Sequence, residues 1–122
     1  MATIMSTFLG IQAQFKVLHW QTQTYSKHMA YGGIYETLDG LVDEFMETYM
    51  GKHGRIALEG EKDAIILSNI GEMKIEDFLE TLTGFLLSFN NQLDSSKDSD
   101  LLNLRDEMLG AVNKLKYLLT LK

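Results

Sequence analysis

The chain has 122 residues, of which 45% are hydrophobic and 23% charged, and its formal net charge is −6 at pH 7; these values are typical of one globular domain, which we expect to span 1–122. It contains no Cys and no Pro, so thiolate catalysis and zinc fingers are excluded and the composition favours helix. The negative net charge and the lack of a basic cluster argue against nucleic-acid partners. The lack of a signal-peptide pattern and of a long apolar run predicts a cytoplasmic protein without membrane partners.

The first half of the chain predicts two amphipathic helices joined by a short loop. The first covers 4–20, where apolar residues recur at spacings of three and four, with Thr3 as candidate N-cap. The loop covers 21–26, and the second helix runs from about His28 to Met50, followed by Gly51 as its terminating residue. The apolar stripe of this second helix comprises Tyr31, Ile34, Tyr35, Leu38, Leu41, Val42, Phe45 and Tyr49.

The second half predicts a long connection and two further helices. Residues 52–74 have no clear periodicity, and Ala64 to Leu67 reads either as a helical turn or as a short extended piece. A third helix follows, then a polar turn at 95–100 rich in N-cap residues, then a fourth helix. The third stripe comprises Ile75, Phe78, Leu79, Leu82, Phe85, Leu86, Phe89 and Leu93, and the fourth comprises Leu101, Leu104, Met108, Val112, Leu115 and Leu119.

This order of elements predicts an all-α fold. Two helices with a short loop, a long crossover between helices 2 and 3, and two more helices with a short turn match the connectivity of a ferritin-like four-helix bundle. The pattern also permits other small helical bundles.

Four side chains are candidates for a metal site: His19, His28, Asp43 and Glu47. Imidazoles and carboxylates suit iron, zinc or manganese. The sequence has no Glu-x-x-His, so a di-iron centre within one chain is disfavoured. Asp43 and Glu47 share a helix face, but Asp43 follows His28 by fifteen residues, about 22 Å along a helix. A single site therefore needs two chains paired about a two-fold axis.

Each candidate ligand also has a simpler interpretation. His19 is either a ligand or a satisfied core histidine, and His28 is either a ligand or a solvated residue at a helix start. Asp43 and Glu47 form either half of a metal site or part of a solvated acidic face. Acids on one face repel each other unless a cation or a partner chain compensates. Asp39 is the substitute ligand if the pairing shifts by one turn.

The aromatic residues near the histidines are predicted to pack rather than to react. Trp20 is expected to pack and to shield the site, and Tyr25, Tyr31 and Tyr35 are expected to pack near the same end. The third histidine, His53, is expected to be a surface residue in a loop beside Gly54 and Arg55.

The sequence from His19 to Glu47 resembles the Dps-type mini-ferritins. His19-Trp20, His28, Asp43 and Glu47 follow the order of that family's ligands, and the last three also match its spacing. The first gap is shorter than usual, and Gly32 stands where the family often has Asp. The hairpin, with HisTrpGln followed by Tyr-x-x-His, also resembles small ferritin-like proteins encoded by tailed phages of cyanobacteria.

The resemblance implies an iron-binding homo-oligomer, at least a two-fold dimer. It further implies a ferroxidase that oxidises Fe(II) with peroxide or oxygen at a site shared between two chains. The alternative from another class is a metal-free helical-bundle protein with a structural or interaction role, which keeps the fold without the activity.

Overall fold

The computed structural model describes all 122 residues and contains four α-helices and no strands. The helices are α1 (Ile4–Gln21), α2 (Tyr25–His53), α3 (Ile75–Gln92) and α4 (Ser99–Leu118), with short 3₁₀ turns at Gly60–Asp63 and Ile70–Glu72. The prediction of four helices without strands is confirmed, and Thr3 caps α1 as expected. No helix is both long and apolar enough to cross a membrane.

Helix α2 is longer at both ends than the sequence pattern predicts. It begins at Tyr25, without a side-chain cap from Thr24, so its first turn gives little local sequence signal. It continues through Gly51 to His53, and Gly54, with a positive φ of 89°, caps its end. His28 and His53 therefore both lie inside α2, and the prediction that His53 sits in a loop is wrong.

The core is built around aromatic side chains from three helices. Phe8 of α1 lies 5.4 Å from Phe45 of α2 and 5.1 Å from Phe85 of α3, as ring centroid distances. Towards the other end of α1, Phe15 lies 5.1 Å from Phe78, near the start of α3. Helix α1 therefore runs antiparallel to both α2 and α3, and α2 and α3 point in the same direction.

Residues 54–74 lie along α1 and are attached to it by polar side chains. At one end the Asp63 carboxylate accepts hydrogen bonds from the Thr3 N–H at 2.8 Å and from the Ser6 hydroxyl at 2.5 Å. Further along, the Gln14 side-chain amide both donates to the Ser68 carbonyl and accepts from the Ser68 N–H, each at 2.9 Å. Gln21 accepts from the Ile70 N–H at 2.7 Å. The stretch 64–67 is neither helix nor strand.

An ionic cluster joins the end of α2 to the turn between α3 and α4. Asp98 is only 5% exposed and accepts hydrogen bonds at 2.9 Å from the Asp94 N–H and from His53 Nε2. Lys52 Nζ lies 3.3 Å from the same carboxylate. The pKa of the Asp98 carboxyl is lowered, first by the Asp94 N–H and then by His53 and Lys52.

We expect Asp98→Asn to destabilise the fold strongly at pH 7 and weakly at pH 3. A carboxyl whose pKa is lower in the folded state stabilises it above the unfolded pKa, which is about 3.9 for Asp, and that contribution fades as the pH falls below it. Urea unfolding at both pH values measures the difference, with the exposed Glu80→Gln as control. An equal loss at the two pH values would contradict the ionic origin of the effect.

Candidate functional site

His19 and His28 form a stacked histidine pair where α1 and α2 meet. Their ring centroids are 3.8 Å apart and the planes differ by 18°. His19 Nδ1 lies 2.7 Å from the His28 carbonyl oxygen, and His28 Nδ1 lies 2.8 Å from the His19 carbonyl oxygen. Since a carbonyl only accepts, each Nδ1 carries a proton, and the Nε2 of each ring has no partner in the chain.

Gly32 makes room for this pair on the face of α2. A Cβ atom at this position would lie 2.9 Å from both Cε1 and Nδ1 of His19, closer than side-chain atoms can approach. The glycine that departs from the mini-ferritin pattern is therefore required by the position of the His19 ring. A carboxylate at this position is incompatible with the stacked arrangement.

The stacking limits how the two rings share a metal. A metal ion lies in the plane of the imidazole that binds it, about 2.0–2.1 Å from the nitrogen. Two rings that are nearly parallel, with centroids 3.8 Å apart, do not bring their planes together at such a distance. Each ring in this arrangement can serve its own ion, and a single ion bound to both rings requires one ring to leave the stack.

Two exposed aromatic rings lie near the pair, which corrects the prediction that Trp20 and Tyr25 pack. Trp20 is 69% exposed and Tyr25 is 76% exposed. Lys16 Nζ lies 4.5 Å from the Tyr35 ring centroid and 5.6 Å from that of Trp20. Of the aromatic residues expected to pack here, Tyr31 is buried and Tyr35 half-buried. The exposed rings of Trp20 and Tyr25 leave apolar surface accessible beside the histidine pair.

Asp43 and Glu47 lie together on the exposed side of α2. The pKa of the Glu47 carboxyl is raised, first by a hydrogen bond with Asp43 and then by the negative charge of Asp43. Neither carboxylate has a Lys, Arg or His nitrogen within 4 Å. The substitute ligand Asp39 instead accepts a hydrogen bond from the Gln12 amide at 3.1 Å.

The structure brings the candidate ligands together as two separate pairs. Asp43 and Glu47 are in the same helix as His28, and their separations of fifteen and nineteen residues keep them about 22 Å and about 28 Å from it along the axis. No three His, Asp or Glu side chains of one chain are placed to hold a metal ion. One chain by itself therefore offers a pair of imidazoles and a distant pair of carboxylates.

Comparison with known proteins identifies the family of the chain but not its activity. A family model described as "Family of unknown function (DUF5856)" matches residues 19–119. An uncharacterised 14.6 kDa protein from the mobD-ri intergenic region of Enterobacteria phage T4 is 27% identical over 118 residues, which covers 97% of this chain and 86% of the phage protein. No solved structure matches significantly.

Proposed function

Because this chain belongs to DUF5856, a family of unknown function, we propose its function from its own surface: two copies bind iron at sites that they share. His19 and His28 of one copy, with Asp43 and Glu47 of the other, are the proposed ligands. The observation that carries the proposal is the stacked histidine pair, in which both Nδ1 atoms are bound to carbonyls and both Nε2 atoms are free. Metal-binding histidines usually donate the N–H of their other ring nitrogen to a carbonyl, a carboxylate or water in the same way.

Two-fold symmetry can bring together the imidazoles and the carboxylates that lie far apart in one chain. If two α1–α2 hairpins pair antiparallel, the histidine end of each faces the carboxylate end of the other, which gives two equivalent sites per dimer. The exposed aromatic rings beside the histidines suit burial in such an interface. The cation would also relieve the repulsion that raises the pKa of Glu47.

The proposed reaction is the oxidation of Fe(II) by hydrogen peroxide or dioxygen. The dimer would hold two Fe(II) ions, one at each shared site. Two Fe(II) ions lose one electron each, which is the pair of electrons that reduces one hydrogen peroxide to two hydroxide ions. Zinc or manganese would fit the same ligands without this redox step.

We extend the proposal to a ferritin-like bundle with a long crossover between helices 2 and 3. The long crossover is supported by the parallel direction of α2 and α3, because a connection between two helices that point the same way must return along the bundle. The bonds from residues 63–70 to both ends of α1 agree with that path.

A mixing experiment tests the shared site directly. One variant carries His19→Ala and His28→Ala, and the other carries Asp43→Asn and Glu47→Gln; each alone should bind Fe(II) at least tenfold more weakly than the wild type. In a refolded equimolar mixture, half of the dimers combine the two chains, and each of these contains one complete site. We therefore expect about a quarter of the wild-type sites to return.

The control removes the same charge from neighbouring positions. Glu36→Gln with Glu44→Gln changes two exposed acids of α2 and should leave Fe(II) binding and oxidation within twofold of the wild type. The proposal fails if the wild type is monomeric by light scattering, if it binds no Fe(II), or if mixing the two ligand variants restores none.

A structural role without metal is the second candidate, and one specific observation favours it. The stacked histidine pair already closes the α1–α2 hairpin with two hydrogen bonds across a three-residue connection. On this alternative, removing the histidines lowers the stability of the chain, and iron neither binds nor raises its melting temperature.

A further inference from the structure

A cavity of about 240 Å³ lies at the end of the bundle, between the starts of α2 and α3 and the end of α4. Its apolar lining comes from Ile75, Leu79 and Leu119. None of the proposed iron ligands or the exposed aromatic rings beside them lines it. For scale, an apolar cavity of about 150 Å³ accommodates benzene.

The hydroxyl of Tyr31 is the first evidence that this cavity binds a ligand. Tyr31 as a whole is only 3% exposed, and it is one of the lining residues. Its hydroxyl has no hydrogen-bond partner in the chain, yet it is not among the fully inaccessible polar atoms that lack a partner. The hydroxyl is therefore at least partly accessible, on a side chain that lines the cavity. A buried Tyr hydroxyl usually has a partner.

The charges around the cavity favour an anion. Lys27 and Lys116 line it, and neither has a carboxylate within 4 Å. Glu76 is the one acid in the lining and has no cationic partner within that distance, so the ionised side chains sum to one positive charge. The pKa of Tyr31 is raised, first by burial and then by the negative charge of Glu76, so the two lysines must compensate this charge when a carboxylate binds at the hydroxyl.

We propose that this cavity binds a small organic carboxylate. Tyr31 donates a hydrogen bond to the carboxylate, Lys27 and Lys116 supply the positive charge, and the apolar body lies against Ile75 and Leu79. The site is independent of the iron proposal, because it uses other residues and needs only one chain. The volume limits the body of the ligand to about one ring or a short alkyl chain.

Benzoate is the probe for the test, with benzyl alcohol and inorganic phosphate as comparisons. Titration followed by the ¹H–¹⁵N NMR spectrum of the full chain should shift the amides of Ile75 and Glu76 in a saturable way. A dissociation constant in the millimolar range is expected for so small a ligand. Benzyl alcohol lacks the charge and phosphate lacks the apolar body, so each should bind about tenfold more weakly.

Two variants and two matched controls locate the binding. Tyr31→Phe keeps the buried ring and removes the hydroxyl, and Lys116→Gln removes an exposed charge; each should weaken benzoate about tenfold. Tyr117→Phe and Lys62→Gln change exposed residues outside the cavity and should stay within twofold.

The proposal is overturned if the benzoate shifts do not saturate, or if either comparison compound binds as tightly as benzoate. Unchanged affinity in the Tyr31 and Lys116 variants would also overturn it. If circular dichroism shows that Tyr31→Phe lowers the melting temperature, the test rests on the lysine variants. In that case the benzoate dissociation constant of Lys116→Gln is compared with that of Lys62→Gln.

Discussion

Phe8→Ala is expected to lower the free energy of unfolding by about 3–5 kcal/mol, the usual loss for a buried Phe. Phe8 is 2% exposed and contacts aromatic rings from two other helices, with Phe45, Phe85 and Phe89 all within 6.1 Å as centroid distances. Truncation leaves a cavity at the point where α1, α2 and α3 meet, and rigid rings around it cannot collapse to fill it. Urea unfolding followed by circular dichroism measures the loss.

The control for this prediction is Leu87→Ala on α3. Leu87 is 45% exposed, so its truncation should cost no more than about 1 kcal/mol. A loss of less than about 2 kcal/mol for Phe8→Ala would mean that the three helices do not meet around this ring.

Gly32→Ala is expected to destabilise the chain although alanine is the better helix former. The change from Gly to Ala within a helix contributes up to about 1 kcal/mol of stability. Against this, the new Cβ displaces the His19 ring, which loses a hydrogen bond worth about 1 kcal/mol and an aromatic stack worth about 0.5–1.5 kcal/mol. Overpacking adds at least about 1 kcal/mol more, so the losses at His19 exceed the gain in helix propensity.

The neighbouring glycine provides the matched control. A Cβ at Gly33 meets nothing within 4 Å, so Gly33→Ala should stabilise by up to about 1 kcal/mol. The two adjacent substitutions are thus expected to act in opposite directions, and thermal melts of both variants measure the difference. Equal stabilisation by the two alanines would show that His19 does not lie against Gly32 in solution.

The helices could be predicted because their apolar stripes are regular. The stripe from Ile75 to Phe89 has the spacing of a helix, and α3 forms there. The start of α2 could not be predicted, because Tyr25 is exposed and Thr24 makes no cap. The bonds between Gln14 and Ser68 could not be predicted either, since they join residues 54 apart by side-chain amides that have no sequence periodicity.

The sequence predicts which residues form the candidate site and how far apart they are along the chain. The structure adds how their side chains are arranged. The sequence placed Asp43 and Glu47 on one face of a helix, and the structure has them there. The stacking of His19 on His28 depends on a close approach at Gly32, which a list of ligands cannot reveal. The bond between His53 and Asp98 cannot be predicted from the sequence either, because 45 residues separate the two side chains.

The attachment of residues 54–74 to α1 has a consequence for the order of folding. The stacked histidine pair joins residues nine apart, whereas the bonds from Thr3 to Asp63 and from Gln21 to Ile70 join residues 60 and 49 apart. Closing the longer loops costs more chain entropy, and contacts between distant residues form slowly. We therefore expect the α1–α2 hairpin to form early and this segment to settle later, against a helix that is already in place.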